Sequence, residues 1–134
     1  MIKIMIVDDD VDTTNILGSI MKSAGYETIS VNDSTIAVQI ASTAHPDLFL
    51  LDLMMPVIDG FKLCRMLRAE PEFVRTPIII ITALADSDSK IVAYGAGATD
   101  YVTKPYLPKE LLAKINAIIT NKRPLYDENG NIVG

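Results

Sequence analysis

The run Leu48-Phe49-Leu50-Leu51-Asp52-Leu53-Met54-Met55-Pro56 is apolar except for a single carboxylate and stops at a proline. It is too short for a helix, and without polar alternation it predicts a strand buried on both faces. Strands of that kind belong to parallel sheets covered by helices on either side, where ligands bind at the C-terminal strand ends. Asp52 sits at such an end. A lone strand-end acid is equally well explained as a helix cap or a turn former, so its meaning depends on what the other strands bring to the same edge.

Outward from that strand, the same pattern recurs. Ile2 to Val7 is apolar apart from Lys3 and runs into Asp8-Asp9-Asp10. Pro77-Ile78-Ile79-Ile80-Ile81-Thr82 predicts a second doubly buried strand, with its proline at the tolerated first position. Asp100-Tyr101-Val102-Thr103 predicts a short strand leading to Lys104-Pro105, and Glu27 to Val31 alternates as an edge strand does. Between the strands, apolar residues recur at helical spacing. The first helix carries Ile16, Leu17, Ile20, Met21 and Ala24, with Asp12 or Thr13 as N-cap and Gly25 as stop. The second carries Ile36, Ala37, Ile40, Ala41 and Ala44, capped by Ser34 and closed by His45-Pro46. A third follows the Pro56-to-Gly60 turn, with Phe61, Cys64 and Leu67 on its buried side and Pro71 as its end. A weaker helix over Asp86 to Gly95 has the short stripe Ile91, Val92 and Tyr94, and the last has Leu111, Leu112, Ile115, Ile118 and Ile119. Strands alternating with helices imply an α/β domain with a doubly wound parallel sheet, because each crossover is right-handed. The reversal of strand order then opens a crevice at the C-terminal ends, where Asp8, Asp9, Asp52, Thr82 and Lys104 all fall.

The length of 134 residues suits one domain, enough to bury roughly 68% of its unfolded surface. A single cysteine, Cys64, excludes an internal disulfide and agrees with a reducing compartment. The N-terminus runs directly into a short apolar segment and three acids, so neither a signal peptide nor a membrane span is expected, and the expected location is cytoplasmic. A net charge of −5 and a pI near 4.7 argue against general affinity for nucleic acid or anionic lipid.

Three carboxylates within about 4 to 6 Å of one another repel by roughly 1 kcal/mol per pair in water and about 4 at an effective dielectric of 20. Such a cluster binds cations or takes up protons. Lys104 supplies one positive charge and a divalent metal two, which balances Asp8, Asp9 and Asp52. Oxygen-only donors favour a hard ion, magnesium first, which keeps waters and takes one or two carboxylates. No His or Cys cluster has zinc spacing; His45 precedes its strand, at the opposite end, and Cys64 reads as a core residue. A metal, a lysine, a hydroxyl and a carboxylate together make a phosphoryl-transfer site, with Asp52, on the best-held strand, as the nucleophile.

These residues resemble the receiver domain of two-component response regulators. The resemblance covers residues 1–121 and rests on Val7-Asp8-Asp9-Asp10, on Leu51-Asp52-Leu53-Met54-Met55-Pro56 through Asp59-Gly60, on Ile81-Thr82-Ala83, on Gly97-Ala98 leading to Tyr101, and on Lys104-Pro105 with Glu110-Leu111-Leu112. It implies a three-layer α/β/α fold with the flavodoxin-like strand order 2-1-3-4-5. It implies a histidine kinase or histidine phosphotransfer protein that donates a phosphoryl group to Asp52, so the domain catalyses only its own phosphorylation and dephosphorylation and is not otherwise an enzyme. Magnesium, or manganese in its place, would be held by Asp9, Asp52 and the Met54 carbonyl, with Asp8 on a metal-bound water. Lys104 would pair with the phosphoryl group, and Lys104-Pro105 is a candidate cis bond. Thr82 and Tyr101 look like a switch pair. They would remodel the face of the fourth helix, fifth strand and fifth helix, which partners or a second copy of the domain would read. In this family the positions of Met54 and Leu84 tune dephosphorylation; both are apolar here, so slow self-dephosphorylation is expected. No nucleic-acid or membrane contact by this domain is expected.

The tail, residues 122–134, reads as a hairpin around Asn129-Gly130. Three readings stand for it: the start of a linker to an output domain absent from this chain, a closing flap, or a disordered end, the first being favoured. Other functions fit the residues less well. An aspartyl phosphohydrolase would use the Asp8-x-Asp10 spacing but leaves Asp52 without a role and lacks length for a substrate cap. A flavodoxin-like mononucleotide binder would place phosphate against three acids. A constitutive interaction module would leave the whole acidic edge unused.

Overall fold

The computed structural model describes residues 1–121, and the predicted tail hairpin lies outside them. The elements are β1 (Lys3–Val7), α1 (Val11–Ser23), β2 (Glu27–Val31), α2 (Ala37–Ala44), β3 (Leu48–Leu51), α3 (Gly60–Ala69), β4 (Ile78–Thr82), α4 (Ser87–Gly95), β5 (Asp100–Thr103) and α5 (Pro108–Asn121). The strands are all parallel in the order β2-β1-β3-β4-β5, so the chain reverses direction across the sheet between β1 and β3. That is the expected doubly wound sheet.

The strand alternation divides the core in two. Ile4, Ile6, Leu48, Leu50, Ile79 and Ile81 face one side, where Leu17 and Met21 of α1 and Leu111 and Ile115 of α5 cover them. Met5, Val7, Phe49, Leu51, Ile78 and Ile80 face the other, beneath Ala37 and Ala41 of α2, Leu63, Cys64 and Leu67 of α3 and Ala93 of α4. β1, β3 and β4 are buried almost throughout because both faces are covered, which is why their sequences show no alternation. Edge-to-face contact between Phe49 and Phe73, with centroids 5.2 Å apart, closes the end of the sheet opposite the acids.

Several local expectations are corrected. The α1 cap is Asp10, extended at φ −87° and ψ 112°, whose carboxylate accepts from the Asp12 amide; Asp12 and Thr13 lie in the first turn. A cap must stand before the first helical residue, and the residue that meets that condition here is the third acid. The buried stripe of α1 is Thr14, Leu17, Gly18 and Met21, rotated from the expected one, and Ile16 is left 59% exposed. Asp33, not Ser34, caps the 3-10 turn that leads into α2, and Ser34 is buried. Pro77 precedes β4, contributing its carbonyl to the Phe49 amide at 2.9 Å while its missing N–H goes unneeded. Ile91, Val92 and Tyr94 of α4, expected on the core side, are exposed; the helix meets the sheet through the small residues Ala93 and Ala96. Alanines allow close approach, and the larger apolar residues are turned to the surface.

Candidate functional site

Strand register builds the site. Val7 pairs with Leu51, so the next residues, Asp8 and Asp52, leave the sheet side by side, and the Asp52 amide donates to the Val7 carbonyl at 3.1 Å. Thr82 pairs with Thr103 at the end of β5, and the Lys104 amide donates to the Thr82 carbonyl at 2.8 Å, which aims the lysine along the same edge. The Lys104–Pro105 peptide is cis, as the resemblance implied.

Lys104 Nζ lies 3.3 Å from Asp8 Oδ2 and 3.4 Å from Asp52 Oδ2. The other oxygen of each carboxylate is held by main chain: Asp8 Oδ1 accepts from the Asp10 amide at 2.9 Å, and Asp52 Oδ1 from the Met54 amide at 3.2 Å. Asp8 is buried, and that burial, with the charge of Asp52 beside it, raises its carboxyl above the usual value against the pull of the Asp10 amide and Lys104. For Lys104 burial opposes the charge, but Asp52 and Asp8 outweigh it and hold the ammonium above its ordinary value. The lysine therefore stays charged at neutral pH, one ammonium set between two carboxyl groups.

Thr82 is fully buried, and its Oγ1 accepts from the Leu84 amide at 3.4 Å. The Leu84 carbonyl in turn accepts from the Tyr101 hydroxyl at 2.6 Å. One residue's main chain thus bridges the two side chains expected to act as a pair, a link that sequence alone does not reveal. Tyr101 faces inward, only 7% exposed, with Lys90 Nζ 5.8 Å from its ring centroid.

Asp9 is exposed on the turn, and Met54 is 58% exposed beyond Asp52. Among the described residues no group of three or more His, Cys, Asp or Glu side chains forms a ready-made cage for a metal. The donors on the edge are all hard oxygens, two carboxylates converging and a third on an open turn. That set fits magnesium, which prefers a few carboxylates and retained waters over a closed protein shell. His45 pairs with Glu72 at the opposite end of the sheet, and Cys64 is buried in the core, where burial pushes its thiol up. Asp10, the other acid of the D-x-D reading, spends its carboxylate on the Asp12 amide and the Thr13 hydroxyl. Sequence reasoning missed Asn32 and Ser34, whose side chains reach the loops on either side of the cluster; a polar residue just after an edge strand carries no pattern that separates it from an ordinary turn.

A five-stranded doubly wound sheet with paired acids and a lysine at its carboxyl edge defines the class of receiver-type α/β domains. Residues 4–116 match the response regulator receiver domain, and the chain belongs to that family. It is 37% identical over 115 residues to the DNA-binding response regulator MtrA of Mycolicibacterium paratuberculosis, covering 86% of this chain and 50% of that protein. Among solved structures it resembles the chemotaxis protein CheY4 of Vibrio cholerae at 29% identity and a TM-score of 0.84, over 88% of this chain and 98% of that one. It also resembles the BeF3-activated N-terminal receiver domain of RstA from Klebsiella pneumoniae, at 30% identity and a TM-score of 0.82, over 87% and 97%. The chain spans about half the length of the curated relatives it matches. No helix among the described residues is long and apolar enough to cross a membrane.

Proposed function

We propose that this domain is the phosphoacceptor of a two-component relay, taking a phosphoryl group from a histidine kinase or histidine phosphotransfer protein onto Asp52. The observation that carries this reading is the shared position of Lys104 Nζ, within 3.4 Å of both Asp8 and Asp52. An Asp52 oxygen attacks phosphorus, an acyl phosphate O–P bond forms, and the P–N bond to the donor imidazole breaks, its electron pair staying with the ring nitrogen. Lys104 exchanges its contact with the Asp52 carboxylate for one with an equatorial phosphoryl oxygen. Asp9, Asp52 and the Met54 carbonyl would hold magnesium, with Asp8 on one of its waters; the ion supplies charge neutralisation at the transferring group. A largely apolar hollow of about 330 Å³ beside Lys104, lined by Ile16, Ile20, Pro105, Tyr106 and Pro108, offers the donor protein a surface next to the site.

The Thr82 hydroxyl is placed to turn toward a phosphoryl oxygen. A hydrogen bond to a charged group contributes about 1.5 to 3 kcal/mol, enough to shift a two-state equilibrium roughly ten- to a hundredfold. Its connection through Leu84 to Tyr101 supports output on the α4, β5 and α5 face, where Ile91 and Tyr94 are exposed to a partner or a second copy. The domain turns over no other substrate in this scheme and works in the cytoplasm. The test is incubation with acetyl phosphate and magnesium, followed by intact mass. Wild type gains one phosphoryl group and Asp52→Ala gains none; equal labelling of both refutes the assignment.

A further inference from the structure

The exit of β2, Asn32-Asp33-Ser34, has no part in the chemistry above, yet it grips both halves of the acidic edge. Asn32 Nδ2 donates to the Asp8 carbonyl at 2.8 Å and to Thr14 Oγ1 at 3.0 Å. The Thr14 hydroxyl gives its own proton to the Val11 carbonyl at 3.0 Å and so offers Asn32 a lone pair. Both partners of the amide nitrogen are therefore acceptors, which fixes the orientation of the side-chain amide. The Asp8 amide meanwhile donates to the Val31 carbonyl at 3.1 Å. The Asp8 carbonyl belongs to the planar unit that also contains the Asp9 nitrogen, so fixing that oxygen fixes the direction in which Asp9 leaves the chain. Two residues on, buried Ser34 donates to the Ile58 carbonyl at 2.6 Å, tying the same loop to the segment that follows Asp52.

Three consecutive acids repel one another, and a turn carrying them opens unless its main chain is held. We infer that Asn32 is a positioning residue for the phosphoacceptor site: it clamps the Asp8–Asp9 peptide so that the two carboxylates keep the spacing a divalent cation requires. This role rests on the proposed reading of Asp8, Asp9 and Asp52 as a magnesium site. It acts through the main chain and not through charge, which separates it from a bland electrostatic contribution. Replacement by aspartate keeps the shape but removes both donated protons, setting a carboxylate oxygen against the Asp8 carbonyl and the Thr14 lone pair. It also adds a negative charge beside the cluster. A charge effect would tighten magnesium binding in Asn32→Asp; a lost clamp weakens it.

The test is a magnesium titration of the full chain followed by amide NMR, with melting temperatures measured in metal-free buffer. Asn32→Ala is expected to bind magnesium about tenfold more weakly, the scale of a lost supporting contact around a metal site. Asn32→Asp is expected to be weakened at least as much, and the Asp9 amide resonance to move in both variants before any metal is added. Loss of the two Asn32 hydrogen bonds lowers the metal-free melting temperature by several degrees in both variants, so the titrations are run well below it. Wild-type magnesium affinity in both variants, or tighter binding by Asn32→Asp with Asn32→Ala unchanged, overturns the clamp while leaving the phosphoacceptor reading intact. A wild type that ignores millimolar magnesium removes the site reading and this role together.

Discussion

Replacing Gly60 by alanine tests how tightly the segment after Asp52 is closed. Gly60 opens α3, and its amide donates to the Leu53 carbonyl at 3.0 Å, folding the start of the helix back onto the end of β3. A Cβ at this position overlaps the Asp52 carbonyl oxygen and lies 2.7 Å from Leu53 Cα and 2.9 Å from the Asp52 carbonyl carbon. All three are main-chain atoms, so no rotamer change relieves the contact, and either the loop or the end of β3 shifts. Overpacking of this kind costs about 1 to 3 kcal/mol, and the lost amide bond about 1 more. The total of about 2 to 4 kcal/mol lowers the melting temperature by roughly 8 to 15 °C for a chain of this length. The same shift displaces the Met54 amide from Asp52 Oδ1, so labelling by acetyl phosphate slows as well. Gly95→Ala is the control, since a Cβ there meets nothing within 4 Å; it is expected to be neutral or to add up to about 1 kcal/mol. Thermal melts by circular dichroism decide the matter: a Gly60→Ala protein that melts with the wild type and labels at the same rate refutes the reasoning.

Three further outcomes are expected. Because the folded-state value of Lys104 is raised above 10.5, its stabilisation is fully present below that value and is lost as pH climbs through the folded value; Asp52→Asn lowers the folded value and moves the alkaline limb of the stability curve to lower pH, measured by melts in chelator-treated buffer. A limb that does not move contradicts the ion pairing. Neither the Met54 nor the Leu84 side chain can orient a water, so the phosphoryl group on Asp52 outlasts seconds in purified protein with magnesium, and Met54→Glu shortens its lifetime by about tenfold or more, followed by the decay of the phosphorylated mass. Val57 is a β-branched residue at φ 67° and 86% exposed; Val57→Gly relieves a left-handed conformation costing about 1 to 2 kcal/mol, and a melting temperature that falls would show the strain is absent.

Much of the architecture can be read from the sequence because burial on both faces leaves a direct mark. The Leu48–Leu51 and Ile78–Ile81 runs have no polar interruption, and Asp52 and Thr82 follow from where those runs stop, as Asp8 follows from the end of β1. Features set by the third dimension leave weaker marks. Asp10, Asp12 and Thr13 are all competent caps, and the choice among them depends on where β1 releases the chain. The stripe of α4 looked inward because its residues are apolar, but which side of a short helix meets the sheet is decided by how closely Ala93 and Ala96 let it approach. Asn32 and Ser34 act through main-chain carbonyls of distant loops, and nothing in their own segment encodes those partners.

The bridge at Leu84 has a consequence for how such a domain can diversify. Its N–H faces Thr82 and its C=O faces Tyr101, so in the proposed switch the link between the two side chains is a single amino acid's backbone, indifferent to the side chain mounted on it. In the proposed cycle that side chain helps set how long the label survives. Timing can therefore drift by substitution at one codon while the wiring beneath stays as it was.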